Sequence, residues 1–125
     1  MIRILALVLP LASCSSTAEI ISFNEDVLPI LNRHCVMCHL PGAEQAELGL
    51  YPDAWSQLVG IPSSQSSLSR VEPGSPDKSY LYLKLIGTQE TDDGSGLQMP
   101  LQQNPLDPAQ IEAIRLWIEQ GAKQN

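Results

Sequence analysis

Two cysteines and a histidine lie within five consecutive residues of this chain. The segment Cys35-Val36-Met37-Cys38-His39 has the pattern Cys-x-x-Cys-His. Two thiols at this spacing on one turn can form thioether bonds to both vinyl groups of a haem, and the histidine that follows is then held against one face of the iron. The pattern is the attachment signature of c-type haem. The sequence therefore predicts one covalently attached haem c, with Cys35 and Cys38 as attachment sites and His39 as an iron ligand.

The same segment allows two other interpretations. A disulfide or a redox-active thiol pair would use Cys35 and Cys38 alone, but such pairs are typical of a βαβ setting, which the surrounding residues do not indicate. A zinc site would need His34 beside Cys35, Cys38 and His39, all within six residues. Tetrahedral zinc sites normally draw on two separated pairs of ligands. Both alternatives therefore fit the sequence less well than haem attachment.

A second axial ligand can be identified by elimination. Beyond the N-terminal segment the chain contains two histidines and two methionines. His34 precedes the first cysteine and Met37 lies inside the attachment loop, so neither can easily reach the iron face opposite His39. Met99 lies in a loop rich in glycine and proline and is the predicted ligand, with Lys84 or a water as the alternatives. We also expect the free ring nitrogen of His39 to donate to a backbone carbonyl.

The segments that must position these residues are short and helical. Apolar residues recur at helical spacing in four segments with start or stop signals, namely residues 22–33, 53–60, 79–86 and 107–121. The last is the clearest, with Asp107 as the N-cap, Pro108 in the first position and Gly121 at the end. No stretch alternates with period two long enough to require a sheet. The predicted fold class is therefore all-α, with long loops between short helices.

The first residues have the pattern of a bacterial export signal. A basic residue and an apolar run precede Leu11-Ala12-Ser13-Cys14, which is similar to the lipobox of lipoproteins, in which the cysteine is lipidated. Cleavage after Ala18 is the alternative and would discard Cys14. The expected organisation is a signal peptide over residues 1–13, a flexible tether over 14–21 and one haem-binding domain over 22–125. The expected location is the bacterial cell envelope, as a periplasmic or outer-membrane lipoprotein.

The charge balance restricts the partners. The chain has 14 acidic and 7 basic side chains and a net charge of −7. This excess of acid argues against nucleic acid and against a polybasic membrane anchor, so the expected membrane contact is a lipid at Cys14. The net negative charge also predicts that the redox protein partners have basic docking patches and that their association is sensitive to salt. Aromatic residues make up only 5% of the chain, so short helices of this kind need a cofactor or another staple to complete a core.

Several further motifs belong to one family pattern. They are Phe23-x-x-Asp26-Val27-x-Pro29-Ile30-Leu31, Leu48-Gly49-Leu50, Val71-x-Pro73-Gly74-x-Pro76-x-x-Ser79, Met99-Pro100 and Trp117-Ile118-x-x-Gly121-Ala122. With the Cys-x-x-Cys-His segment, the chain resembles small bacterial monohaem cytochromes c of the planctomycete type over roughly residues 23–122. The resemblance implies a class I cytochrome c-like fold, in which the N- and C-terminal helices cross around one covalent haem. It also implies Cys35 and Cys38 as thioether sites and His39 and Met99 as axial ligands.

The expected function is electron transfer rather than enzymatic catalysis. A haem with both axial positions filled has no open coordination site and can exchange one electron with little rearrangement. His/Met ligation raises the potential relative to His/His ligation. The alternative is a haem-based peroxidase or gas sensor in which Met99 is a labile ligand. The sequence offers no evident distal acid–base pair for that chemistry.

Overall fold

The described part of the chain is helical and has no sheet. The computed structural model describes residues 18–42 and 45–125. Its α-helices are α1 (Leu28–His34), α2 (Ala54–Leu58), α3 (Tyr80–Ile86) and α4 (Pro108–Glu119). A π-helical turn, Phe23–Val27, precedes α1, and 3-10 turns span Gln45–Glu47, Pro76–Lys78 and Gln89–Asp92. Within the described ranges the backbone forms isolated β-bridges and no strand, as the sequence predicted.

Three of the helices begin or end where the sequence predicted. Asp107 Oδ1 accepts the Gln110 N–H at 2.9 Å, and the Gln110 side chain accepts the Asp107 N–H at 3.2 Å, so α4 has a complete capping box. Asp53 accepts the Ser56 N–H at 3.2 Å and caps α2. Helix α3 ends at Gly87, whose φ of +76° is in the left-handed region. These polar contacts satisfy backbone groups that have no partner inside a helix.

The first helical segment differs from the single helix predicted over residues 22–33. The chain first makes the wide π-helical turn, and regular α-helix begins only at Leu28. Ser22 Oγ accepts the Glu25 N–H at 3.2 Å, and Asp26 rather than Glu25 accepts the Ser22 N–H, at 2.7 Å, so the capping box that Ser22 and Glu25 could form is incomplete. Pro29 lies in the first turn of α1, where its missing N–H costs no helical hydrogen bond.

The core lies where the first helical segment packs against α4. The rings of Phe23 and Trp117 are 5.2 Å apart between centroids and tilted by 37°. Trp117 is buried, and its indole N–H donates to the Lys123 carbonyl at 2.9 Å. The largest other fully buried apolar side chains in this core are Val27, Leu31, Leu58, Val71, Leu85, Ile114 and Ile118. Segments from both ends of the chain thus build one core.

The two ends of the described chain are also hydrogen-bonded to each other. The N–H groups of Phe23 and Asn24 donate to the side chain and backbone oxygens of Asn125 at 3.0 and 2.9 Å. The Gln120 side chain accepts from the Ile21 N–H at 2.9 Å and donates to the Glu19 carbonyl at 2.8 Å. The predicted signal peptide, Cys14 and residues up to 17 lie outside the described residues. Among residues 18–42 and 45–125, no helix combines the length and apolar character needed to cross a bilayer.

A buried serine organises the loop that leads into α3. Ser79 is fully buried, and its hydroxyl accepts the Glu72 N–H and donates to the Ser75 carbonyl, both at 2.9 Å. Gly74, at φ +83°, donates its N–H to the Ile118 carbonyl of α4 at 2.7 Å. The loop is therefore fixed to α4 at one end and to the start of α3 at the other. The fixed loop thus sets the positions of Arg70, which precedes it, and of helix α3, which follows it.

Candidate functional site

One cavity brings together the residues that the sequence selected for chemistry. Its volume is about 620 Å³, which lies within the ~300–1,000 Å³ range of small-molecule and cofactor sites. Cys35, Cys38, His39 and Met99 all border it. Its walls come from the C-terminal end of α1, the segment 45–50, the loop 63–70, helix α3 and the loop 96–103. Residues up to about 70 positions apart in the sequence thus meet around one cavity.

The cysteine segment forms a tight turn at the end of α1. The Cys35 N–H donates to the Leu31 carbonyl at 2.9 Å, and the N–H groups of Cys38 and His39 both donate to the Cys35 carbonyl at 3.1 Å. Both cysteines are free thiols, Cys35 half-buried and Cys38 exposed. Burial, and to a lesser extent the neighbouring Cys38, raise the pKa of the Cys35 thiol to about 11. In residues 18–42 and 45–125, no three His, Cys, Asp or Glu side chains are close enough together to bind one metal ion. The four ligands that a zinc site would need, His34, Cys35, Cys38 and His39, therefore do not form such a group.

The His39 ring is oriented by a backbone carbonyl. His39 Nδ1 lies 3.1 Å from the Leu48 carbonyl oxygen, and a carbonyl can only accept, so Nδ1 is the protonated nitrogen. The neutral imidazole then has its lone pair on Nε2, which is the atom available to a metal. The Leu50 N–H donates to the His39 carbonyl at 2.7 Å. The expected backbone partner is therefore Leu48, which the sequence could not specify.

Helix α3 anchors the loop that carries Met99. The Met99 N–H donates to the Lys84 carbonyl at 2.9 Å, and the Gln98 side-chain amide donates to the Leu85 carbonyl at 2.9 Å. Both carbonyls belong to the last turn of α3, whose C-terminal oxygens have no partner within the helix. Met99 is half-buried and borders the cavity. A thioether donor is thus held at the cavity wall by backbone contacts that do not depend on its side chain.

The other histidine and methionine near the cavity are less suited to bind a metal. His34 Nδ1 lies 3.4 Å from Gln103 Oε1, and its Nε2 lies 3.3 Å from the Gln110 amide nitrogen. Both ring nitrogens are therefore engaged by glutamine side chains. Met37 lies on the turn between the cysteines and is 81% exposed.

Lys84 is a buried cation on the cavity wall. It is 6% exposed, and its ammonium donates to the Ser95 carbonyl at 3.2 Å and lies 5.8 Å from the centroid of the Tyr80 ring. Burial lowers the pKa of Lys84. The sequence predicts Lys84 only as an alternative iron ligand. The sequence does contain a pattern that indicates its burial, because Lys84 is spaced from Leu81 and Leu85 so that all three lie on one face of α3.

Arg70 is a second buried cation on the same wall, and no pattern in the sequence predicted it. It is 9% exposed, and its guanidinium donates to the carbonyls of Gln57 and Glu47, both at 2.9 Å. Burial lowers the pKa of Arg70, while the Glu47 carboxylate raises it. Arg70 lies at the end of a serine-rich loop without periodicity, so no local pattern indicates that its side chain turns inward.

The cavity must be interpreted from its own residues, because protein-family models, curated proteins and solved structures give no match to this chain. Leucines 48, 50, 81 and 85 give the walls an apolar lining. The same walls carry an imidazole with an available Nε2, a thioether, two thiols and two cations. This combination suits a large apolar group that binds a metal, reacts with thiols and has anionic substituents.

We expect the Met99 loop to depend on Gly94. A Cβ at this position would collide with the Gln89 carbonyl oxygen and with the Tyr80 ring. Gly94→Ala should therefore lower the free energy of unfolding by about 1–3 kcal/mol, the usual cost of overpacking, measured by urea denaturation. Gly49→Ala is the matched control, because its Cβ would meet Pro41 only at 3.7 Å, an ordinary contact. Equal stability of the two variants would contradict the tight packing at Gly94.

Proposed function

We propose that this protein is an electron-transfer monohaem c-type cytochrome, with Cys35 and Cys38 as thioether sites and His39 and Met99 as axial ligands. The observation that carries the proposal is the single cavity bordered by all four residues. The sequence spacing alone required only that the first three be close together. The position of Met99 on the same cavity is an independent feature of the fold.

The arrangement of helices is consistent with a class I cytochrome c-like fold. The N-terminal helical segment packs on α4 through Phe23 and Trp117, and the proposed sulfur ligand comes from a late loop. Helices α1 to α3 have seven, five and seven residues. Isolated helices shorter than ~12–15 residues are marginal in water. An apolar cofactor in the cavity would supply the burial that these short helices lack.

The proposed ligands are held so that their positions need not change during electron transfer. A haem with both axial positions filled supplies one-electron exchange and offers no open site for a substrate. The Leu48 carbonyl fixes the His39 ring, and α3 holds the backbone of Met99. A thioether ligand favours ferrous iron and raises the potential relative to a second histidine.

The charge and the N-terminal sequence suggest the setting of this function. A net charge of −7 favours redox partners with basic docking patches. The lipobox-like segment ending at Cys14 favours a tether in the bacterial cell envelope, in the periplasm or at the outer membrane. Electrons would then pass between exported or membrane-bound partners.

Loss of both cysteines should abolish covalent haem attachment. Cys35→Ala and Cys38→Ala should each reduce covalent haem, and the double variant should have none, because no other cysteine borders the cavity among the described residues. Haem staining of denaturing gels measures the attachment. His34→Gln is a control that leaves both thiols in place and should retain covalent haem. Covalent haem in the double variant would refute the attachment sites.

Loss of Met99 should remove the sixth ligand while the haem remains attached. Met99→Ala should erase the sulfur-to-iron charge-transfer band of the ferric protein and lower the midpoint potential, because the preference of the thioether for ferrous iron is lost. The Met99 N–H contact with Lys84 is a backbone contact and should persist. Optical spectroscopy and a redox titration measure the two effects.

A control variant and a ligand-binding assay complete the Met99 experiment. Met37→Leu, at an exposed position, should leave the band and the potential nearly unchanged. If Met99→Ala keeps the band and a low-spin spectrum, another residue is the sixth ligand. Fast, stoichiometric binding of carbon monoxide to the reduced wild-type protein would instead favour a haem enzyme or sensor with a labile Met99.

Lipidation at Cys14 should determine where the protein is found in the cell. Cys14→Ala should move it from the membrane fraction to the soluble fraction with its haem intact, because the proposed haem ligands all lie in the domain over residues 22–125. Cell fractionation followed by haem staining checks both points. An unmodified mature N-terminus at Glu19 would show that the alternative cleavage after Ala18 is used.

A further inference from the structure

The cavity wall carries two positive charges that form no ion pair with the described side chains, although the Glu47 carboxylate acts on Arg70 from a longer distance. The protein has a net charge of −7, yet Arg70 and Lys84 are both more than nine-tenths buried beside the cavity. Among the side chains that the structure describes, the ion pairs are those of Arg115 with two glutamates on the surface of α4. Neither buried cation has a carboxylate within ion-pair distance in the described chain. This is unusual, because buried charges are normally paired.

Each cation has hydrogen-bond donors that the protein does not use. A lysine ammonium has three donors, and that of Lys84 contacts one acceptor, the Ser95 carbonyl. A guanidinium has five donors, and that of Arg70 contacts the carbonyls of Gln57 and Glu47. These carbonyls orient the two side chains but carry no full negative charge. Both side chains are therefore fixed at the wall with donors left for a ligand.

Arg70 and Lys84 come from adjacent segments of the wall, and both border the cavity, so together they form a polar region of it. The Leu81 N–H donates to the Arg70 carbonyl at 2.9 Å, so Arg70 lies beside the first turn of α3. Lys84 lies one turn further along the same helix. The Ser95 carbonyl that holds the Lys84 ammonium is fixed in turn, since the Ser95 N–H donates to the Gln65 carbonyl at 3.1 Å.

A glycine permits the approach of the Lys84 ammonium. A Cβ added to Gly96 would lie 2.8 Å from Lys84 Nζ and 3.4 Å from the Gln65 amide nitrogen. Real Cβ atoms do not approach a neighbour as closely as 2.8 Å, so a larger residue at Gly96 would displace the ammonium. The absence of a side chain at Gly96 therefore leaves the space that the Lys84 ammonium occupies.

We propose that Arg70 and Lys84 bind the two carboxylate groups of the haem and thereby determine which edge of the ring enters this polar region. The inference rests on the proposed function. A haem has an apolar ring and two carboxylates, which matches a cavity with apolar walls and two unpaired cations. The cations also act on the iron, because positive charge nearby favours the ferrous over the ferric state. Both side chains therefore raise the midpoint potential.

Charge-removing variants of the purified holoprotein test this assignment. Lys84→Gln and Arg70→Gln should each shift the one-electron equilibrium at least tenfold toward the ferric state, which corresponds to about 59 mV. The matched controls are Lys78→Gln and Arg33→Gln, which remove the same charges from exposed positions away from the cavity. They should shift the potential much less, because solvent and salt screen exposed charges. Lys84→Arg, which keeps the charge, should restore most of the potential.

A second measurement observes the carboxylates themselves. Resonance Raman spectra of the haem contain bending vibrations of its carboxylate side chains, which should change in Lys84→Gln and Arg70→Gln and not in the controls. Arg70→Gln also loses the contacts with Gln57 and Glu47. If that variant does not accumulate, Lys84→Gln decides the test, because Lys84 has a single side-chain hydrogen bond to the protein.

The possible outcomes separate this inference from the proposed function. A wild-type protein without covalent haem would refute both. A wild-type protein with covalent haem and His/Met ligation, but with unchanged potential and carboxylate bands in the cavity variants, would refute only the assignment of Arg70 and Lys84. Loss of the low-spin spectrum in Lys84→Gln would identify Lys84 as an iron ligand and would also overturn its role as a carboxylate partner.

Discussion

The hydrogen bond from the His39 ring to the Leu48 carbonyl is the contact on which the proposed metal site depends. Without it, either ring nitrogen could carry the proton, and the ring could rotate about its side-chain bonds. The bond fixes the protonated nitrogen on one side and directs the other toward a ligand. The return contact from the Leu50 N–H to the His39 carbonyl keeps the partner segment in register. The Leu48-Gly49-Leu50 motif thus has a physical role that its composition does not reveal.

The electrostatics of the molecule differ between its surface and its cavity. The net charge is −7, and an acidic surface is suited to steering a basic partner. The cavity wall has the opposite sign, with Arg70 and Lys84 oriented by backbone carbonyls. Neutral carbonyl partners leave most of the positive charge in place, with only the Glu47 carboxylate acting on Arg70, whereas ion pairs with carboxylates would cancel it. The protein can therefore present an acidic surface and still stabilise an anionic group inside.

Local signals were sufficient for most of the helices and for the cysteine turn. The caps at Asp53 and Asp107 and the glycine after α3 act within a few residues, so they can be read from the sequence. The N-terminal segment was predicted less accurately, because Asp26 competes with Glu25 for the Ser22 N–H and the chain forms a wider turn. Arg70 could not have been predicted, since its partners lie 13 and 23 residues away in sequence. Burial of a loop residue depends on tertiary contacts alone.

Lys84 connects the two ends of the proposed site through different atoms. Its carbonyl holds the backbone of Met99, and its ammonium belongs to the polar region around Ser95. A change of side chain removes the charge but leaves the carbonyl that positions Met99. Helix α3 continues past Lys84 to Ile86 with its own backbone hydrogen bonds, so this carbonyl keeps its direction. The proposed electrostatic control of the potential and the proposed ligation by Met99 are therefore separable, although both involve Lys84.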